Sequence, residues 1–127
     1  MLTGLSRVFL VVGDLARSVQ FYQRLLERAP ASEDARHALF DLGPISLTIH
    51  EDLAPEEISL WRVDPMPARR GWGVYLTFPT ADLEGTYQKL MGIGAEILTT
   101  PRATSWGSTM FIVKDPDGYL LEISQQQ

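Results

Sequence analysis

No cysteine occurs in the 127 residues, which excludes disulfides, thiolate metal sites and cysteine nucleophiles. Histidine is nearly absent too, with only His37 and His50, so imidazole chemistry has little to work with. No Ser-His-Asp arrangement can be argued from these two histidines. Lysine and arginine number 11 against 16 acidic residues, giving a net charge of −5 with no cationic run. Nucleic acids and anionic membranes need a concentrated cationic face, so neither is expected as a partner. Long apolar runs are missing: the longest early one, Val8 to Val12, is far too short to span a bilayer. It has no basic segment before it and no small-residue cleavage pattern, so no signal peptide is read and a cytoplasmic location is expected. The glycines form no phosphate-cradling motif, and no nucleotide site follows from them.

What is present describes an ordinary soluble globular chain, 45% hydrophobic and 21% charged. Its length suits one domain over residues 1–127 that buries about two-thirds of the surface its unfolded chain exposes. Val8 to Val12 is β-branched and aromatic, reads as a strand, and stops at Gly13-Asp14. Leu15, Val19, Tyr22 and Leu26 then fall on one face of a helix over Asp14 to Arg28, with Asp14 as its N-cap. Pro30 marks its end. Ala38 to Leu42 and Ile45 to Ile49 read as two strands joined by a tight turn at Gly43-Pro44.

The second half repeats that order. Gly73 to Phe78 reads as a strand, Asp82 as an N-cap, and Leu83, Tyr87 and Leu90 as the apolar face of a helix. That helix ends near Gly92-Ile93-Gly94, where glycine tolerates a left-handed cap. Strands are expected at Ala95 to Thr99, Thr109 to Lys114 and Tyr119 to Ser124, with Gln125 to Gln127 as a frayed tail. Placing Asp14 on Asp82 aligns the halves as a repeat. Module one spans about 5–52 and module two about 71–124. Between them a Pro- and charge-rich linker, about 53–70, carries a short helical turn after Pro55.

Three stretches resemble the vicinal-oxygen-chelate superfamily, which includes glyoxalases, bleomycin-resistance proteins and extradiol dioxygenases. Val8-Phe9-Leu10-Val11-Val12-Gly13-Asp14-Leu15 through Phe21-Tyr22 is similar to its opening strand and helix. Thr80-Ala81-Asp82-Leu83 is similar to the second module's opening. Trp106 to Ile123, with Asp115-Pro116-Asp117-Gly118, is similar to its closing hairpin. The resemblance implies an α+β fold in which two βαβββ modules form a curved mixed sheet around a cleft, usually in a homodimer. The DPDG stretch has a separate physical reading as a hairpin device, because Gly118 supplies positive φ before the strand resumes.

Metal-dependent members place His or Glu ligands at matching positions of the two modules. Carried over residue by residue, those positions are Arg7, Ser46 (or Thr48 with a two-residue slip), Tyr75 and Glu122. Arginine is a permanent cation without an acceptor, and only Glu122 is a usual ligand, so no metal or other cofactor is expected. The competing possibility is a divalent ion held by Glu122 with a shifted His50, which shares a face with Ser46 and Thr48 by alternation. The resemblance further implies a ligand cleft with Arg7, Phe9, Ser46, Thr48, Tyr75 and Glu122 at its floor and Trp61, Trp72 and Trp106 as walls. Its expected occupant is a small, partly aromatic or antibiotic-like organic molecule. No catalytic residue is assigned. An Arg7–Glu122 ion pair across the floor is expected, and its plainer reading is that the two charges only satisfy each other. Two alternatives stand beside sequestration: a metal-dependent glyoxalase-like lyase, isomerase or dioxygenase, and a dimeric interaction module with its tryptophans in an interface.

Overall fold

The computed structural model describes residues 1–52, 54–61, 70, 71 and 73–126, with the side chains of Ile58 and Trp61 left out. Two compact units divide the chain, Met1–Ala68 and Arg69–Gln127. The fold is α+β, and each unit lays a helix against its own mixed sheet.

In the first unit β1 (Arg7–Val12) leads into α1 (Leu15–Leu26), then β2 (Ser32–Glu33), β3 (His37–Asp41) and β4 (Ser46–Glu51). The sheet order is β1-β4-β3-β2, with β1 parallel to β4 and the other pairs antiparallel. Alternation divides the strands cleanly. Leu10 and Val12, Leu47 and Ile49, and Ala38 and Phe40 are buried on the face that meets Val19 and Tyr22 of α1. Asp14 caps the helix as its spacing predicts, its carboxylate accepting from Arg17 N at 3.0 Å. The helix closes at Glu27, a non-glycine in left-handed conformation (φ 54°). Leu42 N donates to Ile45 O at 3.0 Å to close the β3–β4 hairpin, with Gly43 at φ 93°.

After β4 comes α2 (Pro55–Trp61), the helical turn expected in the linker. It groups with the first unit because Glu57 is held there: Arg36 Nη2 lies 2.6 Å from Glu57 Oε1, and Ala54 N donates to the same oxygen.

The second unit repeats the plan with β5 (Tyr75–Pro79), α3 (Leu83–Gly92), β6 (Glu96–Ile97), β7 (Arg102–Ala103), β8 (Ser108–Lys114) and β9 (Leu120–Gln126). Its order is β5-β9-β8-β6, with β7 also pairing β8 and β5 parallel to β9. Phe111, Val113, Leu121 and Ile123 are buried on the helix face, where the Tyr87 ring meets Phe111 edge-on at 5.3 Å. Asp82 caps α3 through Gly85 N at 2.9 Å. At the other end Ala95 N reaches Leu90 O and Gly94 N reaches Met91 O, a Schellman closure around Gly94 (φ 75°).

Three expectations are corrected. The two-residue strands β2 and β7 are too short for any periodicity to announce them. The Ala95–Thr99 strand shrinks to Glu96–Ile97. The polar tail is not frayed through Gln126: β9 continues to that residue, and Gln125 Oε1 accepts from Leu83 N at 2.8 Å. An exposed-looking Gln run becomes structural because it pairs with β8 and serves the first turn of α3. Gln127 lies outside the described residues. No described helix is long and apolar enough to cross a membrane.

Candidate functional site

The first sheet's face turned away from α1 collects most of the candidate residues of module one. Register places Arg7 beside Ser46, Phe9 beside Thr48, and Val11 beside His50. Across β4, Ser46 faces Asp41, Thr48 faces Leu39, and His50 faces His37. The face is therefore three rows deep. The first row is Arg7–Ser46–Asp41, the second Phe9–Thr48–Leu39, and the third Val11–His50–His37.

Each row has its own chemistry. Arg7 is exposed and takes no hydrogen bond or ion pair among the described residues. Ser46 Oγ donates only weakly, to Ser6 O at 3.5 Å. In the second row the Thr48 hydroxyl is sealed from solvent without a hydrogen-bond partner among the described residues, in a residue only 3% exposed. Phe9 stays 39% exposed. Its ring stacks on His50 with centroids 5.4 Å apart, and His50 in turn lies 6.4 Å from His37 with planes 18° apart.

The third row ends in a charged network that spacing did not reveal. His50 Nδ1 lies 2.6 Å from Glu51 O, and its Nε2 faces Glu57 Oε2 at 3.8 Å. Arg36 bridges Glu51 and Glu57. The Ala54 amide first, and then the Arg36 guanidinium, hold the Glu57 carboxyl below its ordinary range. Asp34 is likewise lowered, chiefly by the Arg36 and His37 amides, and pairs with His37 Nδ1 at 2.8 Å. The Arg36 contacts to Glu51 and Glu57 link positions 15 or more residues apart, so no local pattern signals them.

In the second unit Tyr75 and Glu122 share the sheet face turned away from α3. Glu122 sits between Thr77 on β5 and Ile112 on β8, and Tyr75 lies diagonally from it beside Leu120. Glu122 is half-buried and makes no hydrogen bond or ion pair among the described residues. Trp106 stands apart from this pair, in the turn between β7 and β8 and 71% exposed. It lies beyond Ser108, which is already about 13 Å along β8 from the partner of Glu122. Trp72 and the Trp61 side chain lie outside the described residues. Arg7 and Glu122 belong to different units, and the pair expected between them remains an expectation.

The first residue of the DPDG turn holds it together. Asp115, 4% exposed, accepts through one carboxylate oxygen from Asp117 N and Tyr119 N, both at 2.9 Å. Gly118 (φ 94°) completes the turn by donating to Asp115 O.

A family model described as the Glyoxalase/Bleomycin resistance protein/Dioxygenase superfamily matches residues 4–123. The chain belongs to this superfamily. Among curated proteins it is similar to a probable lactoylglutathione lyase of Synechocystis sp., 28% identical over 117 residues. That match covers 90% of this chain and 88% of the relative. It is 29% identical over 125 residues to a lactoylglutathione lyase of Haemophilus influenzae, covering 91% and 87%. A solved glyoxalase-related enzyme from Fulvimarina pelagi shares the fold at a TM-score of 0.84 and 22% identity, covering 98% of this chain and 89% of that one.

The superfamily's metal positions can be tested against these side chains. They carry a guanidinium, a hydroxyl from Ser46 or Thr48, a phenol and one carboxylate. That set does not fit a catalytic divalent ion, which needs about three good protein donors and no resident cation. Among the described residues no three His, Asp or Glu side chains are grouped to hold a metal. The shifted ligand His50 has Nδ1 committed to a backbone carbonyl and Nε2 facing Glu57.

Proposed function

We propose that the chain is a small-molecule-binding member of the superfamily that works without a metal at the family positions, by holding its ligand rather than transforming it. Arg7 carries this reading. A fixed cation at the first ligand position opposes a second cation there, and Glu122 alone is too weak a donor set to offset that. In the first unit Phe9 supplies apolar contact area and Ser46 and Thr48 supply polar groups of the kind that orient a ligand, and on its own sheet the second unit offers the same kinds of group in Tyr75 and Glu122. A homodimer belongs to the same proposal, and sedimentation at micromolar concentration measures it.

Metal analysis of protein purified without chelator tests the reading. The expected result is a substoichiometric metal content that is unchanged in Glu122→Gln. A stoichiometric divalent ion lost in that variant would overturn it. A thermal-shift screen of aromatic metabolites and antibiotics then looks for the ligand.

The likeness to two lactoylglutathione lyases favours a second reading, an enzyme of that type. Formation or breakdown of lactoylglutathione, assayed with and without added divalent metal, distinguishes the two. Turnover that depends on added metal and is abolished by Glu122→Gln selects the lyase.

A further inference from the structure

We infer that the first sheet's face away from α1 binds a small organic anion, a monocarboxylate with a flat apolar body, with Arg7 and Ser46 as its carboxylate anchor. This deepens the proposed function and rests on its claim that the chain binds a small molecule. All the residues involved belong to one unit.

The charge pattern sets the polarity of the ligand. Among the described residues Arg7 brings a permanent guanidinium with no ion pair, and beside it the Ser46 hydroxyl makes a single, long hydrogen bond. A guanidinium and an adjacent hydroxyl match the two oxygens of a carboxylate. The nearest carboxylate in the row, Asp41, lies two strands away, about 10 Å by strand spacing. It is turned back to accept from Gly43 N at 2.9 Å. The other end of the face is occupied by Asp34, Glu51 and Glu57 around Arg36 and the histidines. An anion is therefore attracted at the Arg7 end and opposed at the far end, which orients it along β1.

The second row sets the body of the ligand. Phe9 follows Arg7 on the same face about 7 Å along the strand, so the long Arg7 side chain can hold a carboxylate whose attached ring reaches Phe9. Stacking on His50 steadies the Phe9 ring while leaving it part-exposed. Thr48 adds an independent observation. Its buried hydroxyl has no partner among the described residues, and such groups are costly to leave unmet in a folded protein. Since Thr48 lies directly beside Phe9, a shift of that ring on ligand entry gives the hydroxyl a partner.

The test uses the full chain, 15N-labelled, titrated with phenylacetate and with its neutral analogue phenylacetamide at pH 7. Phenylacetate is expected to bind about tenfold more tightly, with amide shifts centred on Arg7–Val11 and Ser46–His50. The protein's net charge of −5 works against this preference unless the anchor is local. Arg7→Gln should bring the ratio to about one, and Arg7→Lys should keep part of it. Lys114→Gln on the second sheet should leave it unchanged. Thr48→Val should weaken both probes alike while the protein stays folded. Equal binding of acid and amide, or a ratio that survives Arg7→Gln, overturns the anion assignment while small-molecule binding stands. If neither probe moves a first-sheet amide, this inference falls alone, since the proposed function is judged by metal content and the ligand screen.

Discussion

The two modules share a plan and differ in chemistry. Both run strand, helix, then strands, both cap the helix with aspartate three residues before the amide it accepts, and both place the first strand parallel to the last. Their helix faces are interchangeable lists of buried apolar residues. Their opposite faces are not: module one presents Arg7, Ser46 and Thr48 where module two presents Tyr75 and Glu122. A repeated scaffold needs only periodicity and caps to be repeated, so the sheet faces are free to diverge. The face turned away from the helix thus carries a cation, Arg7, in one module and an anion, Glu122, in the other.

The closing hairpins break the symmetry most sharply. Asp41 and Asp115 each follow or end a strand and accept from the amide two residues on. Asp41 does so in solvent. Asp115 does so buried and also accepts from Tyr119 N. Asp115→Ala should therefore cost about 2–3 kcal/mol in urea unfolding, because two part-buried amides lose the buried carboxylate that accepts from them. Asp41→Ala should cost about 0.5 kcal/mol. Equal costs would show that the two turns are energetically equivalent after all.

Helix ends give the next largest contrast. Gly94→Ala should destabilise by about 1 kcal/mol, since a φ of 75° favours glycine over residues with a Cβ. Glu27→Gly should stabilise by about 0.5 kcal/mol by relieving the left-handed glutamate. Thermal melts of the two variants moving in opposite directions check this.

Acid sensitivity is the smallest effect and belongs to module one. Glu57 and Asp34 have folded-state values below their unfolded ones. Their contribution is present above the unfolded carboxylate range and is lost as pH falls through the lower folded values. Between neutral pH and pH about 3, Glu57→Gln should lose less urea-midpoint stability than the parent. Unchanged acid slopes would show that the Arg36 bridge to α2 does not contribute.

Local pattern carried much of this protein. Asp14, Asp82, the apolar helix faces and the Gly43 and Gly118 turns are short-range devices, legible because each depends on neighbours within a few residues. The strand alternation also placed Ser46, Thr48 and His50 on one face, as the structure has them. The stacked Phe9–His50–His37 rings, the Arg36–Glu57 bridge and the orphaned Thr48 hydroxyl were not legible. Each depends on which strands become neighbours, and register is not written in any one strand. Gln125 shows the same limit, a polar tail residue made structural by the first turn of a helix 42 positions earlier.

By itself the sequence determined the repeat, the elements and the chemical kinds of side chain at the family's ligand positions, because caps, periodicity and residue identity are local properties. Only the tertiary structure decided which of those side chains stand in one row and which amides Asp115 serves. Only there did Arg7 and Glu122 emerge as charges without a partner among the described residues. Pairing energies depend on distances of a few ångströms between segments far apart in the chain, and folding alone sets those distances.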